Sequence, residues 1–192
     1  MRYLTRFRAL PVTFALAVAS VAMATAQSKG PVATYTALAV DAGANVGQAT
    51  MTLDFVVNRW STEAEKDLIT TTLSEQPTKL LDVLQKMPAV GRLAYPGGVG
   101  FELRYASLSI SGGTERIVFL TDRPIGWGEA ANRGRTLDYP FTVMELRVPP
   151  SGNGEGRIMV AAKIMVNRTS KDLMIEDYNI APVQLRGVKK LK

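Results

Sequence analysis

Apolar and polar residues alternate at a period of two in many segments of the chain, and one stretch before its middle departs to a longer period. The clearest alternation is "ATMTLDFVVNRW", where Met51, Leu53, Phe55 and Val57 fall on one face. "VATYTALAVDAG" precedes it, separated by the Gly-containing turn "DAGANVGQ", so the two segments read as a hairpin. The period then lengthens. Thr62 followed three residues later by Glu65 is a capping-box signature, and Ala64, Leu68, Ile69 and Leu73 continue at helical spacing. Pro77 restarts the pattern in the first turn of a second helix, with Leu80, Leu81, Leu84 and Met87 on one side and Pro88 as its stop.

Alternation resumes after the helical pair. "VGRLAY" reads as a short strand, and "GVGFELRYASLSI" as a longer one. Its apolar phase runs through Phe101, Leu103 and Tyr105 and then slips to Leu108 and Ile110, which predicts a bulge near Ser107. "ERIVFLTD", "PFTVMELRV", "RIMVAAKIMVN", "DLMIEDY" and "PVQLRGV" follow as further strands. Across the "RTSK" turn, pairing Asn167 with Asp172 sets Val166 against Leu173, Ile164 against Ile175 and Lys163 against Glu176. Met144, Leu146 and Val148 share a parity with Ile158 and Val160, and packing these together places Glu145 on the face of Lys163 and Glu176.

The segment Ile158 to Val166 is apolar on both parities, with Met159, Ala161 and Met165 on the second, so it must be central and covered on both sides. The expected fold is α+β: an antiparallel sheet of seven to nine strands, strongly curved or partly closed into a barrel, with a two-helix insertion after the second strand.

The first residues change the picture of where this domain works. Arg2, Arg6 and Arg8 precede an apolar run from Ala9 to Met23, and Ala24-Thr25-Ala26 supplies small residues for cleavage. That layout predicts a secretory signal peptide over 1–26, shorter in its apolar part than a membrane span, and a single exported domain over 27–192. The destination is a periplasm or the cell exterior. The mature domain has 192 − 26 = 166 residues, enough for one well-buried core, and its stability draws on no disulfide because the chain has no cysteine. The leader carries three of the 23 basic residues and none of the 17 acidic ones, leaving 20 − 17 = +3. Basic residues outside "VKKLK" are interspersed with acids, which excludes nucleic acid as the expected partner.

Histidine is absent as well. This removes Ser-His-Asp and Cys-His catalysis and the metal sites that need imidazole or thiolate. "IEDYN" lacks the spacing of a calcium loop, and "GGVG" precedes a strand rather than the helix N-terminus that a phosphate loop needs. No metal or cofactor is therefore expected.

Two groups of residues remain as candidates. The connection Asp122 to Tyr139, "DRPIGWGEAANRGRTLDY", is too long for a hairpin and too rich in apolar residues for a disordered one. In it Arg123, Arg133 and Arg135 suit an anionic group, Trp127 and Tyr139 can stack on an apolar part, Asp138 can orient a guanidinium, and Trp127 is the expected anchor. Three acids balance three arginines there, which favours internal ion pairing that pins the segment as a lid over a barrel end. The second group is the polar row Glu145, Lys163 and Glu176, which reads as a cross-strand charge ladder or, less simply, as acid–base machinery. The expected function is a non-catalytic binding module for a small anionic or amphipathic ligand or a protein partner. The alternatives are an envelope structural or interaction protein without a pocket, and a carboxylate-based hydrolase.

Overall fold

The computed structural model describes residues 30–41, 49–123, 125, 141–160, 163–167, 172–176 and 183–192; the expected leader at 1–26 lies outside them. Strands β1 (Ala33–Asp41) and β2 (Ala49–Val57) pair antiparallel along their whole length, as the alternation predicts. Helix α1 (Glu63–Glu75) follows. Thr62 Oγ1 accepts from the Glu65 amide at 3.2 Å and the Glu65 carboxylate accepts from the Thr62 amide at 2.8 Å, so the capping box is complete. A 3-10 turn at Pro77–Lys79 leads into α2 (Leu80–Lys86).

The remaining strands are β3 (Gly91–Ala94), β4 (Phe101–Leu103), β5 (Tyr105–Ser111), β6 (Thr114–Leu120), β7 (Thr142–Val148), β8 (Gly154–Val160), β9 (Lys163–Val166), β10 (Leu173–Glu176) and β11 (Val183–Lys190). Nine of the eleven form one antiparallel sheet in the order β4-β3-β2-β1-β11-β8-β7-β6-β5. The two ends of that order are consecutive in the chain, separated by Arg104 alone. The Leu103 carbonyl accepts from Val90 N–H at 2.8 Å on the β3 side, and the Arg104 N–H donates to the Leu120 carbonyl of β6 at 2.9 Å. One peptide thus faces both neighbours, and the sheet meets itself there as a nearly closed barrel with two helices inserted after its second strand.

The predicted phase slip exists but sits earlier than Ser107. Arg104 and Tyr105 both stand opposite Leu120, the first by hydrogen bond and the second by register. Phe101, Leu103, Ala106 and Leu108 therefore face the barrel interior, while Tyr105 turns outward into a second core. From Tyr105 to Ser111 the pairing with β6 is regular, so Ser107 carries no bulge. A second irregularity lies in β11, where Leu185 and Val188 are both buried inward. The extra residue between them is accommodated at Gly187, whose φ of 59° favours glycine.

The interior is filled by side chains. Tyr35, Leu53, Phe55, Phe119, Met144, Leu146 and Ile158 are buried in one cluster. Phe55 of β2 and Phe119 of β6 stack with ring centroids 5.4 Å apart and planes 17° from parallel. Alanines 33, 37 and 39 on β1 leave room for these rings. At one end of the barrel Tyr35 donates to Glu115 at 2.8 Å, and Lys190 donates to the same carboxylate at 2.6 Å. Burial, joined by this hydrogen bond and the Glu115 charge, pushes the Tyr35 phenol far above its ordinary value. From the other end Ile125 enters the same core.

A second core lies outside the barrel. Tyr105, Val118, Leu120, Val143 and Met159 project from the outer face of β5 to β8 and meet Ile69, Leu73, Leu80 and Leu84 of the helices. Ile164 and Leu173 complete it from the β9–β10 ribbon. Ile158 inward and Met159 outward are both buried, so β8 is dry on both sides as its composition predicts. Its continuation differs from expectation. β8 ends at Val160, and β9 pairs with β10 as a separate two-stranded sheet. The predicted ribbon register is the observed one: Lys163 opposite Glu176, Ile164 opposite Ile175, Val166 opposite Leu173.

Candidate functional site

The stem of the long connection is fixed by two threonines. Thr121 N–H donates to the Thr142 carbonyl at 3.1 Å, and Thr142 N–H donates to Thr121 Oγ1 at 3.2 Å. Thr121 Oγ1 donates to the Arg123 carbonyl at 2.6 Å, and Ile125 N–H donates to Thr142 Oγ1 at 2.8 Å, which turns Ile125 into the barrel. Ile125 is thus the buried anchor of the described part of this connection. Arg123 remains exposed, with Nε 3.6 Å from Asp122 Oδ1. Trp127, Arg133, Arg135, Asp138 and Tyr139 lie outside the described residues.

Asp122 itself is half-buried beside the barrel's closing peptide. Its Oδ2 accepts from Arg104 Nε at 3.0 Å, while Oδ1 has no hydrogen-bond partner among the described residues. Arg104 also donates to the Met87 carbonyl at 3.1 Å and contacts Glu102 at 2.7 Å. One guanidinium therefore ties the exit of α2, β4 and the end of β6 together at the bulge, a structural use of its fork.

The strongest charge constellation is on the outer face of β6, β7 and β8, and it includes one residue of the predicted polar row. Glu145 points outward from the middle of β7, and its side chain is 3 % exposed. Arg116 of β6 donates from Nε to Oε1 at 2.5 Å, and Arg157 of β8 donates from Nε to Oε2 at 3.0 Å. Arg147, two residues along β7, donates from Nη2 to Oε1 at 3.2 Å. Strand register explains the convergence: Glu145 is opposite Arg157, and Arg116 is opposite Arg147. Arg116 also donates from Nη2 to the Leu173 carbonyl at 2.6 Å, which fastens the β9–β10 ribbon to the barrel.

Burial pushes the Glu145 carboxyl up, but the Arg116 hydrogen bond and the charges of Arg116, Arg147 and Arg157 together outweigh it and hold the group below the usual carboxylate range. Glu145 is therefore a fixed anion. Three guanidinia against one carboxylate leave 3 − 1 = +2 among the four groups. Arg147 is 54 % exposed, and its Nη1 donors have no partner among the described residues. Arg116 and Arg157 are about half as exposed, at 25 % and 27 %.

Lys163 and Glu176 face each other in register as predicted, and their side chains lie outside the described ones. β8 and β9 belong to separate sheets, with 161–162 between them outside the described residues, so the register of β8 does not extend to Lys163. The arginines around Glu145 escape sequence reasoning because each sits on a different strand or two residues from the acid. The available signal is an outward arginine in each of "ERIVF", "ELRV" and "GRIMV".

Among the described residues no group of three metal-ligating side chains comes together, and no helix is long and apolar enough to cross a membrane. No family model matches the chain, and neither a curated protein nor a solved structure matches it.

Proposed function

We propose that this chain is an exported, non-catalytic binding module, and that its ligand presents a carboxylate or phosphate group to the outer face of β6, β7 and β8. The observation that carries the reading is the arrangement around Glu145: a single buried anion gathers three guanidinia on one outer face, and that of Arg147 is more than half exposed. Arginine forks held in place in this way recognise planar or tetrahedral oxyanions with little further ordering. The filled interior of the barrel favours a surface site over a cavity site.

Titration calorimetry with inorganic phosphate and with citrate tests it. Arg147→Gln is expected to weaken binding at least fivefold, Arg147→Lys less, and Glu145→Gln to strengthen it in any variant that stays folded. Equal affinities in wild type and Arg147→Gln would overturn the placement. The connection from Asp122 to Tyr139 is the second placement for the same chemistry, through Arg123, Arg133 and Arg135 with Trp127 and Tyr139 beside them. Export predicts a mature N-terminus at Gln27, which N-terminal sequencing of the protein from its host reads directly.

Two other functions are less well supported. An envelope protein without a ligand gives no role to the exposed Arg147 guanidinium. A carboxylate-based hydrolase needs a protonated acid, and Glu145 is held ionised.

A further inference from the structure

Among the described residues the barrel meets itself only at the Leu103–Arg104 peptide, and beyond Ala106 no described strand pairs with the outer edge of β5. Ala106 is already covered: its N–H donates to Ser61 Oγ at 3.0 Å, and its carbonyl accepts from Ser61 N–H at 2.9 Å. By strand alternation the N–H and C=O groups of Leu108 and Ile110 point the same way, away from β6, and they have no partner among the described residues. Edges of this kind are usually blunted by charge, proline or a bulge. From Tyr105 to Ser111 the strand is "YASLSIS", with no charge and no proline, and its pairing with β6 is regular. Ile110 is 64 % exposed.

The segment Ser107 to Ser111 reads the same in both directions by residue class: Ser, Leu, Ser, Ile, Ser. A twofold axis through an antiparallel edge pairs each residue with its mirror position, so self-complementarity is the requirement a second copy must meet and a foreign peptide need not. With the axis at Ser109, Leu108 of one protomer faces Ile110 of the other, and Ser107 faces Ser111. Leu108 and Ile110 then exchange four backbone hydrogen bonds across the axis, and no like charges oppose each other.

We propose that the free edge of β5 pairs with the same edge of a second copy about a twofold axis at Ser109, joining two barrels into one continuous sheet. Ser109 is the register partner of Arg116, so the two arginine clusters come to lie on one outer surface. Three strand spacings separate Arg116 from its symmetry mate, about 14 Å. That exceeds the Debye length of about 8 Å at physiological salt, so their repulsion is largely screened.

The chain has no cysteine, which makes single-cysteine variants clean reporters. Ser109 of the two protomers would sit as a non-hydrogen-bonded pair, about 4.5 Å between Cα atoms, within disulfide reach. Ser109→Cys is expected to cross-link under mild oxidation at least tenfold faster than Ser151→Cys, placed in the exposed turn between β7 and β8. Ser109→Lys puts two ammonium groups face to face, and sedimentation equilibrium should then give a dimer dissociation constant at least tenfold weaker than wild type. Ile110→Pro removes one outward N–H without touching the β6 ladder and should weaken the dimer as well. A wild type that stays monomeric at high concentration, or equal cross-linking at positions 109 and 151, overturns the proposal. Phosphate affinity does not enter these readouts, so they separate this proposal from the anion site.

Discussion

Replacing Glu145 by glutamine keeps the size of the side chain and removes the one charge that the three arginines share. Glu145 is 3 % exposed, while Arg116, Arg157 and Arg147 are 25 %, 27 % and 54 % exposed. Removing one member of a fully buried ion pair costs about 3–5 kcal/mol, because the partner is left buried without a counter-charge. Here the partners are partly solvated, so we discount this to about 2–3 kcal/mol. For a domain of this size each kcal/mol lowers Tm by about 2–4 °C, so Glu145→Gln should melt about 4–12 °C below wild type. The sign with pH follows from the depressed folded pKa. Ionised Glu145 contributes fully above the unfolded carboxylate pKa of about 4.3, and the contribution is lost as pH falls through the lower folded value. Urea unfolding of both proteins at pH 7 and at successively more acidic pH measures this. The expected result is a stability gap that is widest at pH 7 and closes in acid. A gap below 1 kcal/mol at pH 7, or one that does not change with pH, would refute the reasoning.

Phe119→Ala removes a fully buried ring and its stack on Phe55, and should cost about 3–5 kcal/mol by urea denaturation with little change in the helices. Glu65 is held at about pKa 2, first by the Arg59 hydrogen bond, against burial, with the Thr62 amide also contributing. Arg59→Gln should raise its NMR titration midpoint most of the way back to about 4.3, and an unchanged midpoint would contradict the pairing. Gly187→Ala should destabilise the domain by about 1 kcal/mol, because an L side chain is strained at φ 59° although no atom obstructs it; Gly187→Asn should cost less.

The parts of the fold that were legible in the sequence are local ones. The β1–β2 hairpin, the capped helix from Glu63, the stop after Met87 and the β9–β10 register all rest on neighbours within a few residues or one turn. What was not legible depends on distant pairing. β1 lies beside β11, and no local pattern brings Tyr35 to Lys190. The apolar pattern points to a bulge near Ser107 rather than at Arg104 and Tyr105 because Tyr105 is apolar yet outward, where the second core receives it. The same two-sided burial hid the place of β9 in a separate ribbon, since the apolar run continues from β8 into it. The Glu145 cluster needs three strand registers at once. The polar row singled out the carboxylate, and only the assembled sheet supplies its arginines.

The arginine face is tested most directly by following guanidinium Nε–Hε resonances during a titration with inorganic phosphate. Saturable shifts at Arg147 and Arg157, reduced at higher salt and with Arg123 unmoved, are the expected result. Shifts confined to Arg123, Arg133 and Arg135 would move the ligand to the long connection, and no saturable shift at any arginine would contradict the anion-binding account as a whole.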